Sequence, residues 1–202
     1  MQVDTQGLAP GAAYRLMIAC LVPRPIAWAS TLSARGEPNL APFSYFGGVS
    51  SHPPLVMLSV GRRRDGSRKD TAANLLATRE AVLHIPDRAH AAAMVATSAE
   101  VAPGVDEFGL AGLEQLPSAH VRPARVAGAP IAMEAVLEHH MEVGQGPVDL
   151  FLLRLLCFHV DDALLVDGLP DPTRLAALGR LGSDAYCDTA HPFSLPRPPR
   201  PS

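Results

Sequence analysis

Cysteine is scarce in this chain: Cys20, Cys157 and Cys187 stand far apart, and no Cys-x-x-Cys spacing occurs. That argues against a disulfide framework and a zinc knuckle, and it fits a reducing compartment. Charge is sparse as well, at 18% of 202 residues, and 17 Lys and Arg against 20 Asp and Glu leave a net charge of −3. No general attraction to nucleic acid or to an anionic membrane follows from that balance, so any anion site has to be local. Long apolar runs are missing too. The most apolar stretch, residues 150–160, is interrupted by Arg154 and falls well short of the ~20 residues a membrane helix needs. No apolar run follows a charged amino-terminal segment, so no secretory signal is expected and a cytoplasmic location is. H-E-x-x-H, G-x-S-x-G, Walker and G-x-G-x-x-G patterns are absent, which leaves zinc proteolysis, serine hydrolysis, phosphate-loop chemistry and a resident Rossmann dinucleotide unsupported.

What the chain does have is apolar content, 48% of residues, enough for one substantial core. A single domain over residues 1–190 is expected, followed by a tail over 191–202 in which Pro192, Pro196, Pro198, Pro199 and Pro201 favour an extended polyproline form. So low a charged fraction suggests that some apolar surface meets a second copy, making a homodimer. Residues 9–19 read as a short helix stopped before Pro23 and Pro25. Residues 26–32, 39–49 and 55–60 are rich in β-branched and aromatic side chains and are separated by turn chemistry, which predicts an antiparallel meander. A helix is expected over 71–79, a strand over 81–85, and short helices over 87–97, 105–112 and 172–178. Two long strands, 131–143 and 148–161, join through Gly144-Gln145-Gly146-Pro147.

Three segments carry the chemistry. In Lys69-Asp70-Thr71, a cation and a hydroxyl stand at the entry to a helix, where free N–H groups and a partial positive charge favour a phosphate. Asn74 lies one turn on, on the same side. In isolation these residues read first as a plain helix cap. Upstream, Arg24-Pro25-Ile26-Ala27-Trp28-Ala29-Ser30-Thr31 and Asn39-Leu40-Ala41-Pro42-Phe43-Ser44 are strands. One face of the first enters the core while the other meets a ligand, and small residues let a flat ring approach. Ala41 and Ser44 leave backbone donors and acceptors reachable. The competing reading is a packed hairpin with Trp28 in the core. Arg62-Arg63-Arg64, Arg68 and Lys69 place five cations in eight positions, either a phosphate clamp or a wet loop. No metal site is expected, since His139 and His140 are strand neighbours on opposite faces.

The R-P-I-A-W-x-S-T, N-L-A-P-F-S-x-F and K-D-T-x-x-N runs resemble those of the flavin reductase-like family, the FMN-binding split barrels. The similarity extends through Asp106-Glu107-Phe108 and Ala111-Gly112-Leu113 to Gly179-Arg180-Leu181-Gly182 and Tyr186, roughly residues 14–187. It implies a mainly β fold with peripheral helices, a six-stranded Greek-key split barrel, dimeric, with FMN at the subunit interface. Carried over, Ser30, Thr31, Lys69 and Thr71 would hold the phosphate and ribityl end, with Asp70 and Asn74 beside them. Asn39, Ala41, Pro42, Phe43 and Ser44 would line the ring, and Arg24, Trp28 and Arg62 complete the expected cofactor set. The resemblance also implies an oxidoreductase in which NADH or NADPH, bound transiently, reduces the flavin, which passes electrons to free flavin, oxygen or an electron-acceptor protein. The alternative is an FMN carrier or electron-transfer protein with little NAD(P)H activity. No catalytic side chain is required, because the protein supplies position and electrostatics and the cofactor the chemistry.

Overall fold

The structure is a computed structural model that describes residues 2–102 and 104–198; residues 199–202 of the expected tail lie outside the described residues. Helix α1 (Pro10–Cys20) opens the chain with Pro at its first turn, and the short strand β1 (Arg24–Pro25) follows. Strands β2 (Ala27–Leu32), β3 (Pro38–Phe43), β4 (Phe46–Ser51) and β5 (Pro54–Val60) come next, then α2 (Asp70–Thr78) and β6 (Glu80–Ile85). Two short helices, α3 (Ala91–Ala96) and α4 (Glu107–Leu110), precede the strand pair β7 (Gln115–Leu116) and β8 (Arg125–Val126). The long hairpin β9 (Ile131–Val143) and β10 (Val148–Val160) turns at Gly144, whose φ of 85° suits glycine. The remainder is short: β11 (Leu165–Val166), β12 (Leu169–Pro170), α5 (Pro172–Leu175), β13 (Leu178–Arg180) and β14 (Tyr186–Asp188).

Seven strands form one antiparallel sheet in the order β3-β2-β6-β9-β10-β5-β4, and β1, β13 and β14 form a second. The main sheet has seven strands rather than six because the segment expected as one strand over 39–49 breaks at Ser44 and Tyr45 into β3 and β4; the two halves run to opposite ends of the sheet, so the expected meander gives way to the pairs β2-β3 and β4-β5. Other expected elements come out shorter. Helix α5 stops at Leu175 because Ala176 turns to φ 44°, a left-handed cap, and the helix expected over 87–97 is confined to α3.

Strand β2 sits between two apolar clusters. Ala27 and Ala29 face one, with Leu58, Val60, Leu75, Leu83, Phe151 and Leu153, while Ile26 and Trp28 face another built from Leu40, Met94, Phe108, Val126 and Leu178. Alternation along the strand thus buries both of its faces. The expectation that one face of β2 would meet a ligand is corrected here: α3, α4 and β8 cover that face. Residues 191–198 are exposed throughout, with Phe193 at 85% and Leu195 at 79%.

Candidate functional site

A knot of buried polar side chains ties β2, β3 and α2 together. Asn39 Nδ2 donates to Thr31 Oγ1 at 3.1 Å and to Thr71 Oγ1 at 3.0 Å, and Asn74 Nδ2 donates to the same Thr31 oxygen at 3.1 Å. All four residues are buried. Because buried amides and hydroxyls are costly unless paired, this set fixes where α2 begins. The helix begins unusually. Lys69 occupies the N-cap with an extended backbone, and no side chain caps the helix. The N–H groups of Asp70 and Thr71 therefore have no partner within the helix.

That helix end forms one wall of a cleft whose lining includes Asn39, Ala41, Pro42 and Phe43 from β3, Lys69 and Thr71 from α2, the loop residues Thr97–Val101, and Glu107. Arg63 reaches the cleft and is ion-paired to Asp70 at 2.7 Å, whereas Lys69 has no carboxylate partner among the described residues. A second lobe shares Pro42, Phe43 and Ser98 with the first and continues past Arg24 and Ser44 to Tyr14, Arg180 and Tyr186. There the Arg180 guanidinium lies 4.4 Å from the centroid of the Tyr186 ring.

The structure brings Asn39, Ala41, Pro42, Phe43, Lys69, Asp70 and Thr71 to one cleft and sets Thr31 and Asn74 behind them as support. Ser44 joins at the second lobe. Four of the expected residues are placed otherwise. Trp28 is fully buried, its Nε1–H donating to Thr97 Oγ1 at 2.8 Å, so the packed-hairpin reading holds for this side chain. Ser30 is buried in the middle of β2, between β3 and β6. Arg24 lines the second lobe, but its guanidinium is engaged by the carbonyls of Ile18, Leu21 and Leu181 at 2.7–2.9 Å. It secures the end of α1 to the chain near β13. Arg62 turns away from the cleft to Asp149 at 3.3 Å and Glu142 at 3.1 Å. Arg68 joins the same acids. The basic loop is thereby largely spent on a buried aspartate, a constraint that strand spacing alone does not show.

Backbone alternation brings a further correction. The Leu40 N–H donates to Glu107 Oε2 at 3.0 Å rather than to β2. In an antiparallel strand, N–H and C=O groups change side at each residue. Leu40 and Pro42 thus turn their backbone groups away from β2, and Ala41 turns its own toward it; Ala41 offers the cleft a small side chain. Pro42 is tolerated because its missing N–H falls on the unpaired edge. Glu107 is the main residue the sequence reading missed as a site group. The available signal was an acid wedged between Asp106, which caps α4 by accepting from Phe108 N–H, and Phe108, which is fully buried. Burial holds the Glu107 carboxyl above its ordinary range, with Asp70 and Asp106 adding to the effect.

The family model Flavin reductase like domain matches residues 19–169. The chain belongs to this flavin reductase-like family. An uncharacterized protein of Halalkalibacterium halodurans, BH2278, is 34% identical over 98% of this chain and 97% of its own length. Among solved structures, nitrilotriacetate monooxygenase component B from Bacillus cereus superposes with a TM-score of 0.92 at 33% identity, covering 96% of this chain and 98% of that one. The 2-nitrobenzoate 2-nitroreductase NbaA of Pseudomonas fluorescens gives 0.86 at 25% identity, covering 98% and 96%. The family match spans every lining residue of the first lobe, while Tyr14, Arg180 and Tyr186 of the second lobe lie outside the matched residues.

Proposed function

We propose that this chain is an FMN-dependent oxidoreductase that takes electrons from NADH or NADPH. The observation that carries the reading is the uncapped start of α2 on the cleft wall, where two N–H groups without a partner in the helix stand beside the Thr71 hydroxyl and a Lys69 ammonium that has no carboxylate partner among the described residues. A helix start of this kind suits a phosphate, and the donors present fit the phosphate of FMN. Lys69, Thr71 and the amide groups of α2 would hold that phosphate, with Asn39, Ala41, Pro42, Phe43 and Ser44 along the flavin ring. Bound there, FMN supplies hydride acceptance from the nicotinamide and onward delivery of electrons to free flavin, oxygen or a partner protein.

The chain's own contribution is position and field. The knot of Thr31, Asn39, Thr71 and Asn74 keeps the anion wall fixed relative to β3, so the ring has one seat. The second lobe, lined by Tyr14 and by Arg180 stacked on Tyr186, offers a cationic and aromatic surface for a nicotinamide dinucleotide. No side-chain acid or base is assigned to the hydride step. Closure of the sheet into a Greek-key barrel, a homodimer and a cytoplasmic location belong to the same proposal, supported by family membership and by the apolar surface left on α1.

The test is anaerobic titration of the FMN-loaded protein with NADH and NADPH, following the flavin absorbance. Bleaching by either nicotinamide supports the oxidoreductase. A bound flavin that dithionite bleaches and neither nicotinamide does would replace it with the carrier reading.

A further inference from the structure

We propose that Glu107 takes up a proton when a phosphate-bearing ligand enters the cleft, and then faces that ligand as a hydrogen-bond donor. The inference rests on the reading of the first lobe as an FMN site and adds to it a coupled proton and the residue that carries it.

Glu107 is 5% exposed yet lines the same cleft as Lys69 and Thr71. One of its oxygens, Oε2, is committed to the Leu40 N–H. That bond and the buried Phe108 next to it hold the carboxyl in place. No cation pairs with it among the described residues. The charged groups around it come from every neighbouring element: Asp106 from its own turn, Asp70 and Lys69 from α2, Arg63 from the preceding loop, and Glu100 from the loop after α3. Arg63 is already held by Asp70. Strand β3 offers no charge there, only the Asn39 amide.

A carboxylate in this setting is ill matched to an incoming phosphate, which is itself anionic and purely an acceptor in its ionised form. Two like charges sharing one site favour protonation of one of them. Protonation turns Glu107 from an acceptor-only group into one that also has a single O–H donor. The proton comes from solvent, Oε2 continues to accept from Leu40, and no other bond changes. Burial and the two aspartates already bias the free protein in this direction. Since the bound form holds the proton more tightly, FMN affinity falls as pH rises from the pKa of Glu107 in the free protein to its higher pKa in the complex, by up to about tenfold per pH unit.

Calorimetric titration of the flavin-free full chain in two buffers of different ionisation enthalpy, repeated at a series of pH values above the ordinary carboxylate range, counts the protons taken up. The probes are FMN, riboflavin and inorganic phosphate. Glu107→Gln keeps a carbonyl for the Leu40 N–H and presents an amide donor that does not titrate. Expected are proton uptake with FMN, less with riboflavin, and loss of the FMN excess in Glu107→Gln, whose affinity becomes flatter with pH. FMN binding with no proton uptake, or with the same uptake in wild type and Glu107→Gln, overturns the inference and leaves the FMN reading standing. If neither flavin binds while inorganic phosphate does, with uptake that depends on Glu107, the FMN reading fails and the inference holds. If none of the three binds, both fall.

Discussion

Lys69 and Thr71 stand on the same wall of the cleft, yet their substitutions should behave differently. Lys69 has no carboxylate partner among the described residues, so Lys69→Met removes a charge and little else. The loss of one bond to a charged phosphate should cost about 1.5–3 kcal/mol, roughly ten- to 150-fold in FMN affinity. Riboflavin, which has no phosphate, should bind as before, and a fluorescence titration of both flavins reads the difference. Equal weakening of the two would place Lys69 against the ring instead. Thr71→Val is the less clean probe, because its hydroxyl also accepts from the buried Asn39 amide. Its loss should lower unfolding stability by about 1–3 kcal/mol as well as weaken FMN. Both substitutions look alike in the sequence, where the two residues are simply the start of a helix.

His84 joins two elements, its Nδ1–H donating to the Trp28 carbonyl of β2 and its Nε2 accepting from the Val126 N–H of β8, at 2.8 and 2.9 Å. Both ring nitrogens are used in the neutral form, and complete burial lowers the pKa to about 4. A histidine depressed in the folded state binds its proton first in the unfolded chain. The stability it contributes is present above about pH 6.5 and is lost as pH falls toward 4, up to about 3 kcal/mol. Unfolding monitored by the single tryptophan should therefore show wild type losing that much more than His84→Gln between those pH values; parallel losses would refute the linkage. His84 also marks the limit of what the sequence made legible. The β2-β3 pair, the long hairpin and the helix after Lys69 follow from alternation and turn residues, and so does the cluster of motif residues around β3 and α2; the expected meander does not form, because β3 and β4 lie at opposite ends of the sheet. What lay beyond reach depends on long-range pairing: β2 buried on both faces, the Arg24 guanidinium filled by carbonyls 3 to 157 residues away, and Arg62 drawn to Asp149. Periodicity says which residues share a face, but not what covers it.

At the scale of the molecule, α1 is the feature that a lone chain leaves unexplained. This 11-residue helix has no buried residue, and Leu16, Met17, Leu21 and Val22 in and after it are 39–53% exposed. Apolar groups collected on one segment are characteristic of a surface that meets something, and the homodimer proposed above would seat a second copy of the chain there. The helix also borders the second lobe through Tyr14 and Ile18, so a partner seated on it would close the flavin cleft from outside. Sedimentation of the flavin-loaded protein should give twice the chain mass. In a monomer, Leu16→Glu with Met17→Glu would change exposed positions only, each worth about 0.5 kcal/mol or less. In a dimer the same pair buries two charges in an apolar contact, which costs several kcal/mol for each unpaired ion. The double variant should therefore sediment as a folded monomer, with its tryptophan still buried and its FMN affinity reduced. Wild type that sediments as a flavin-loaded monomer, or a double variant that remains dimeric with full affinity, would show that α1 is not the dimer surface.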